Sequence, residues 1–198
     1  MLTNKQNSAD KQRSQLERTM QVVADIEQSK TKSGYPPVEN WHPDVVGEID
    51  IRIDREGNWY YQEEVMARQA MVKLFSSILR LDDDNCYYLV TPVEKMKITV
   101  DVAPFAIIDF RVDEQNDKPT LVFIDSVGDE ITLNNQEQFQ IHTTDNDEPQ
   151  PFLMVRRNLK GLINRNVFYR LVNIAEERRV NGVEQVGVWS SGLFFELG

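Results

Sequence analysis

The sequence contains one cysteine, Cys86, among its 198 residues, so no disulfide can form within the chain. That suits a reducing compartment. It contains only two histidines, His42 and His142. A structural or catalytic zinc draws several ligands from histidine, cysteine and carboxylates. These three residues lie far apart in sequence, so no metal site is expected. No glycine-rich phosphate loop of the Walker or dinucleotide type is present, and no cofactor is called for. The serines of SVGD and WSSG lack the G-x-S-x-G spacing of a nucleophile elbow. Cys86, in NCYYLV, has no neighbouring cation or helix start to activate a thiol and reads as a small apolar residue. No catalytic residue is assigned on these grounds. Long apolar runs are also missing. Nothing approaches the length that spans a bilayer, and MLTNKQNSADKQRSQ has no apolar centre of the signal-peptide kind. Positive charge is in deficit: the formal net charge is -10. Such a charge disfavours non-specific binding to nucleic acid and to anionic membranes. The absences together point to a cytoplasmic protein with no membrane partner.

What remains is a strand-rich chain with few helices. Residues 1–37 differ from the rest. In ADKQRSQLERTMQVVADIEQSK, Leu16, Met20, Val23 and Ile26 recur at helical spacing. They describe either a short amphipathic helix, docking on the body, a second copy or a protein partner, or a frayed extension. SGYPP then breaks any helix. From residue 38, GEIDIRID alternates with period two and reads as a strand. REGN supplies its turn, and NWYYQ the return. A calcium loop beginning at Asp50 would need oxygen ligands at alternate positions. Arg52 occupies the third, so the strand reading holds, with Asp50, Arg52 and Asp54 sharing one face.

EEVMARQAMVKLFSSILRL predicts a helix ending at or before Leu81. The segments CYYLVTPV, KMKITVDV, PFAIIDFRV, TLVFID, EITLN, FQIHT and PFLMVRR are predicted strands, with a turn at NLKG. A second helix is predicted over NRNVFYRLVNIAEERR, then strands VEQVGVW and GLFFEL. The order strand, turn, segment, arginine, helix, strands thus occurs twice, with Arg68 and Arg165 opening the two helices. A duplicated α+β architecture with largely antiparallel sheets follows. Between Pro151 and Val180 lie Arg156, Arg157, Lys160, Arg165, Arg170, Arg178 and Arg179 against Glu176 and Glu177, seven minus two, a local net of +5. This segment is suited either to an anion or to the acidic DDD and DNDE loops.

The stretches NWHPDVVGEIDIRI, GNWYY, LFSSILR, YYLVTPVEK, APF and SSGLFFELG resemble the bacterial family known as domain of unknown function 1285. The resemblance implies two related units, 38–103 and 104–198, each of mainly antiparallel strands with one main helix. The second would be pleckstrin-homology-like, with residues 1–37 outside both. It further implies a signalling protein with a ligand site between the halves, for a nucleotide or nucleic-acid-derived molecule. The residues carried over are His42, Arg68, Thr91, Glu94, Lys95 and Ser191. Arg68, Arg165 and Lys95 are the leading anion contacts. The alternatives are a protein-interaction adaptor and an enzyme in which carboxylates and Lys95 act as acid and base.

Overall fold

The computed structural model describes residues 34–115, 118–143, 148–180 and 183–197. The expected N-terminal helix therefore lies outside the described residues. By contact the chain divides into two units. The first holds the described residues up to Ile53 together with Asn58–Asp101; the second holds Asp54–Gly57 and the chain from Val102 onward.

In the first unit the alternation of GEIDIRI becomes β1 (Val45–Ile53), with Ile49, Ile51 and Ile53 buried. It is followed by β2 (Trp59–Tyr61), β3 (Glu64–Val65), α1 (Gln69–Ser77), β4 (Leu79–Leu81), β5 (Tyr87–Val90) and β6 (Glu94–Val100). The six strands form one sheet in the order β3-β2-β1-β6-β5-β4. All pairs are antiparallel except β1 with β6. α1 buries Val72 and Phe75, and the Phe75 ring stacks on Trp59 with centroids 6.5 Å apart.

The predicted helix over 63–81 is too long at both ends. Val65 is claimed by Tyr60, and the Met66 amide donates to the Trp59 carbonyl. Leu79, Arg80 and Leu81 pair with Leu89, Tyr88 and Tyr87. Strand partners distant in sequence override helical periodicity at both ends. The expectation that Asp54 shares a strand face with Asp50 and Arg52 also needs correction. Asp54 lies past the end of β1, is buried, and accepts the Glu56 amide at 2.9 Å. Arg52 pairs instead with Asp101 at 2.8 Å.

The second unit contains β7 (Phe105–Gln115), β8 (Lys118–Asp125), β9 (Glu130–Thr132), β10 (Phe139–Thr143), β11 (Pro149–Arg156) and β12 (Leu159–Ile163). Then come α2 (Arg165–Asn173), β13 (Glu176–Val180), β14 (Val183–Ser190) and β15 (Leu193–Glu196). The sheet order is β10-β11-β12-β7-β8-β9, and the only parallel pair between its described strands is β12 with β7. Read from the other edge, this is the order of the first sheet. In each, two three-stranded antiparallel meanders are joined by a parallel pair between the first strand and the last. The architecture is therefore α+β with two similar, mainly-strand units.

The repeat differs in register from the one the sequence suggests. α1 sits in the crossover between the meanders of the first sheet, where the second has only a 3-10 turn, Gln136–Gln138. α2 follows the last strand of its sheet. The predicted second helix is also shorter than its periodicity, because Glu176–Val180 pairs with β14. The NLKG turn falls earlier as well, since Leu159–Ile163 is strand.

β13, β14 and β15 form a separate three-stranded sheet whose Val188 and Phe195 join Leu121, Phe123, Leu153, Val167, Phe168 and Leu171 in one apolar core. The buried Ser190 hydroxyl links this sheet to its neighbour, accepting the Leu121 amide and donating to the Leu133 carbonyl. On the outer face, Phe194 lies across Gly187. A Cβ at that glycine would stand 2.3 Å from the Phe195 carbonyl oxygen and 2.7 Å from the Phe194 ring. Gly187→Ala is therefore expected to destabilise the protein by about 2 kcal/mol through overpacking. A lower urea midpoint would register the loss, and an unchanged one would show that both the Phe195 backbone and the Phe194 ring give way at little cost.

Candidate functional site

Of the seven residues singled out in the sequence, only three lie together. Thr91, Glu94 and Lys95 form one turn of the first unit. Thr91, fully buried, donates its hydroxyl to the Glu94 carbonyl and accepts the Glu94 amide, both at 3.1 Å. It closes the turn that starts β6. Lys95 Nζ lies 2.6 Å from Asp82 Oδ2 and 4.2 Å from the centre of the Tyr88 ring. Asp82 also receives Arg80, whose second nitrogen reaches the Val38 and Trp41 carbonyls at 2.7 Å each. This cluster fastens the segment entering β1 to β4.

Burial works against the Asp82 carboxylate. The hydrogen bonds and charges of Arg80 and Lys95 outweigh it and hold the group below its ordinary value of 3.8. A depressed carboxylate stabilises the fold above its unfolded-state value, and that contribution is lost as pH falls through the folded-state value. Asp82→Asn should cost about 1–2 kcal/mol near neutral pH. It should also flatten the acid limb of the stability curve below the ordinary carboxylate range, read by urea unfolding across that limb. An acid limb identical to the parent's would rule the cluster out as its cause.

Arg68 is the exposed cap of α1, where its carbonyl accepts the Met71 and Val72 amides. His42 is exposed. Ser191 sits in the β14–β15 turn with φ +52°, its hydroxyl 3.3 Å from that of Thr120.

Arg165 stands apart, because it lines a cavity of about 630 Å³ in the second unit. Three pieces build this cavity. The end of β12 contributes Leu162 and Ile163, and the start of α2 contributes Asn164, Arg165, Asn166 and Tyr169. The third piece is Arg55 and Glu56 on the Asp54–Gly57 turn, with Glu148 and Pro149 entering β11. Asn164 caps the helix through its backbone, donating to the Ile107 carbonyl and accepting the Phe168 amide, while its side chain makes no capping bond. The amides of Arg165, Asn166 and Val167 have no acceptor within a helix that begins there, and they carry the positive end of its dipole. No acidic residue occupies that first turn.

Arg165 pairs with Glu148 at 3.3 Å, both side chains being well exposed. Tyr169, one helical turn on, is 56% exposed, so its ring is accessible. α2 is held in place by Arg170, which bonds Asp109 at 2.6 Å and the Phe110 carbonyl at 3.1 Å. The arginine bond lowers the Asp109 pKa.

The arm bearing Arg55 is seated closely. Gly57 has φ +82°, and a Cβ there would lie 2.7 Å from the Ser126 hydroxyl. A glycine is required both by conformation and by space. Ser126 belongs to a turn organised by Asp125, which is fully buried. One carboxylate oxygen of Asp125 accepts the Val127 and Asp129 amides at 3.0 and 2.8 Å. The other is buried with no hydrogen-bond partner among the described residues. Desolvation, with the nearby Asp129 charge adding to it, pushes the Asp125 pKa up to about 6.

The basic run between Pro151 and Val180 does not act as one face. Arg156 meets Asp129, Arg170 meets Asp109, Lys160 meets Gln140 and Arg178 lies over Trp189 and Phe194. Arg165 meets Glu148, the last residue of the DNDE loop. Sequence reasoning found Arg165 but missed Arg55 and Tyr169. The i,i+4 spacing of Arg165 and Tyr169 was readable as a shared helix face. Arg55 carried no such sign.

The fold thus defines a duplicated α+β protein with a mixed polar and apolar cavity in its second unit. The chain belongs to the DUF1285 family: its N-terminal domain of unknown function matches residues 36–103, and the C-terminal domain, from a protein of unknown function, matches residues 104–197. A crystal structure of a DUF1285 family protein from Silicibacter pomeroyi DSS-3 is 40% identical. The match covers 88% of this chain and 93% of that one, with a TM-score of 0.72. A second, from Shewanella baltica OS155, is 32% identical over 62% of this chain and 90% of that one, with a TM-score of 0.48. No functionally curated protein matches the chain. No described helix is long and apolar enough to cross a membrane.

Proposed function

We propose that the protein is a non-catalytic binding protein whose second unit holds a small anionic ligand carrying a flat ring, a nucleotide or nucleic-acid-derived molecule. The observation that carries this is the cavity at the start of α2, which Arg55, Arg165 and the exposed Tyr169 line together. Its size falls in the range of pockets that bury small ligands. Arginine forks and helix amides suit a phosphate. An accessible tyrosine suits a base, which stacks on an aromatic face. Glu148 occupies Arg165 until an anion displaces it.

Of the seven residues first singled out, Arg165 is retained as a ligand contact. Lys95 and Thr91 have the internal roles described, and no geometry favours His42, Arg68, Glu94 or Ser191 as contacts. A pleckstrin-homology-like shape in the second unit would not argue for lipid, because function rests on the site. The acidic balance and single cysteine support a cytoplasmic setting. Thermal-shift measurement against nucleoside mono- and diphosphates tests the reading. A rise with nucleotides exceeding that with inorganic phosphate is expected, and no rise with any of them removes the proposal.

A further inference from the structure

Asp125 has no part in the binding reading above, yet it is the most buried carboxylate described, with a relative exposure of 0%. One oxygen holds its turn together through two amides, and the other faces no donor among the described residues. The charged groups acting on it are Asp129, on its own turn, and Arg156, from β11, which itself bonds Asp129 at 3.0 Å. From β7 the turn is met by Ala106, which accepts the Ser126 amide at 2.8 Å. From the Asp54–Gly57 turn it is met by Gly57, while Asp54 is engaged with the Glu56 amide. A proton on the orphaned oxygen removes a buried charge and leaves both amide bonds intact. Ionisation leaves a charge that Arg156, shared with Asp129, compensates only in part.

We propose that Asp125 is a proton-dependent brace: protonated, it locks the Asp125–Asp129 turn against the Gly57 seat that carries Arg55, and ionised, it loosens that seat and weakens anion binding in the cavity. The link to binding rests on the cavity being the ligand site; the brace itself does not. The sign follows from linkage. A carboxyl whose folded-state value is raised from 3.8 to about 6 makes the folded state the better proton binder. Stability is therefore greatest in acid and falls as pH rises through that window, levelling above it.

The test compares the full chain with its Asp125→Asn variant, which keeps the accepting oxygen and cannot ionise. The parent's thermal midpoint should fall by several degrees as pH rises from about 4 to about 7, and the variant's should fall much less. The Asp125 carboxyl carbon, followed by NMR in the parent, should titrate near the raised value, which requires no variant to fold. AMP affinity should drop several-fold more in the parent than in the variant over the same range. Equal slopes in both proteins, or an ordinary carboxylate titration for Asp125, would overturn the brace. A brace confirmed with equal AMP dependence in both would overturn its link to the site. AMP binding to neither protein at any pH would sink the cavity reading, and with it that link, while the thermal and NMR arms still decide the brace.

Discussion

The double variant Arg55→Ala/Arg165→Ala should bind AMP about 100-fold more weakly than the parent, or worse, with no measurable change in unfolding. Hydrogen bonds to charged groups contribute roughly 1.5–3 kcal/mol each, so losing two corresponds to at least two orders of magnitude. The fold should not notice. Arg55 is exposed, and the Arg165–Glu148 pair is exposed on both sides. Such pairs contribute about 0–1 kcal/mol. Glu148→Gln should act oppositely, freeing Arg165 from its internal partner and raising affinity a few-fold. Titration calorimetry on the three proteins reads both effects. A double variant that binds like the parent would show that the arginines line a cavity they do not serve.

The largest stability effect is expected at Arg156. Its guanidinium bonds Asp129 with little solvent on either side and lies 4.6 Å from the centre of the Phe105 ring. Arg156→Met keeps most of the hydrocarbon and removes the charge. It leaves Asp129 without this cation and removes the Arg156 charge that favours the Asp125 carboxylate. Breaking a buried pair by removing one partner costs on the order of 3 kcal/mol. The loss should be larger above pH 6 than in acid, because the Asp125 carboxyl, already raised to about 6 by burial, can escape the penalty by taking a proton. Urea unfolding at acidic and alkaline pH checks this. A loss below about 1 kcal/mol at both would mean that the pair is solvated enough to matter little.

How much of this was readable in the sequence differs from element to element. Period-two alternation located β1, and FQIHT coincides with β10, because a half-buried strand records its pleat directly in its residue types. The helices were overextended for the opposite reason. Val65, Leu79 and Leu81 fit a helical stripe, and the segment Glu176–Val180 continues one, yet all are taken by strand partners fixed elsewhere in the chain. The repeat was visible as a sequence order but misregistered. The two arginine-helix segments look alike locally, whereas the sheets match through β1–β6 and β7–β12, which only the parallel pairs β1/β6 and β7/β12 reveal. In the site, Arg165 was legible because it opens a helix in a basic segment. Arg55 was not, since its place depends on Gly57 packing against Ser126, about seventy residues away. Asp125 was hidden similarly. In the sequence it is one acid in a polar turn, and only the fold strips its second oxygen of partners.

The second unit's cavity should recognise phosphate and ring together. Calorimetric titration of the full chain with AMP, adenosine and inorganic phosphate measures this directly. AMP should bind at least about tenfold more tightly than either fragment, since the cavity offers Arg55 and Arg165 to a phosphate and the Tyr169 ring to a base at the same time. Heats indistinguishable from dilution for all three, or AMP no tighter than phosphate alone, would contradict it.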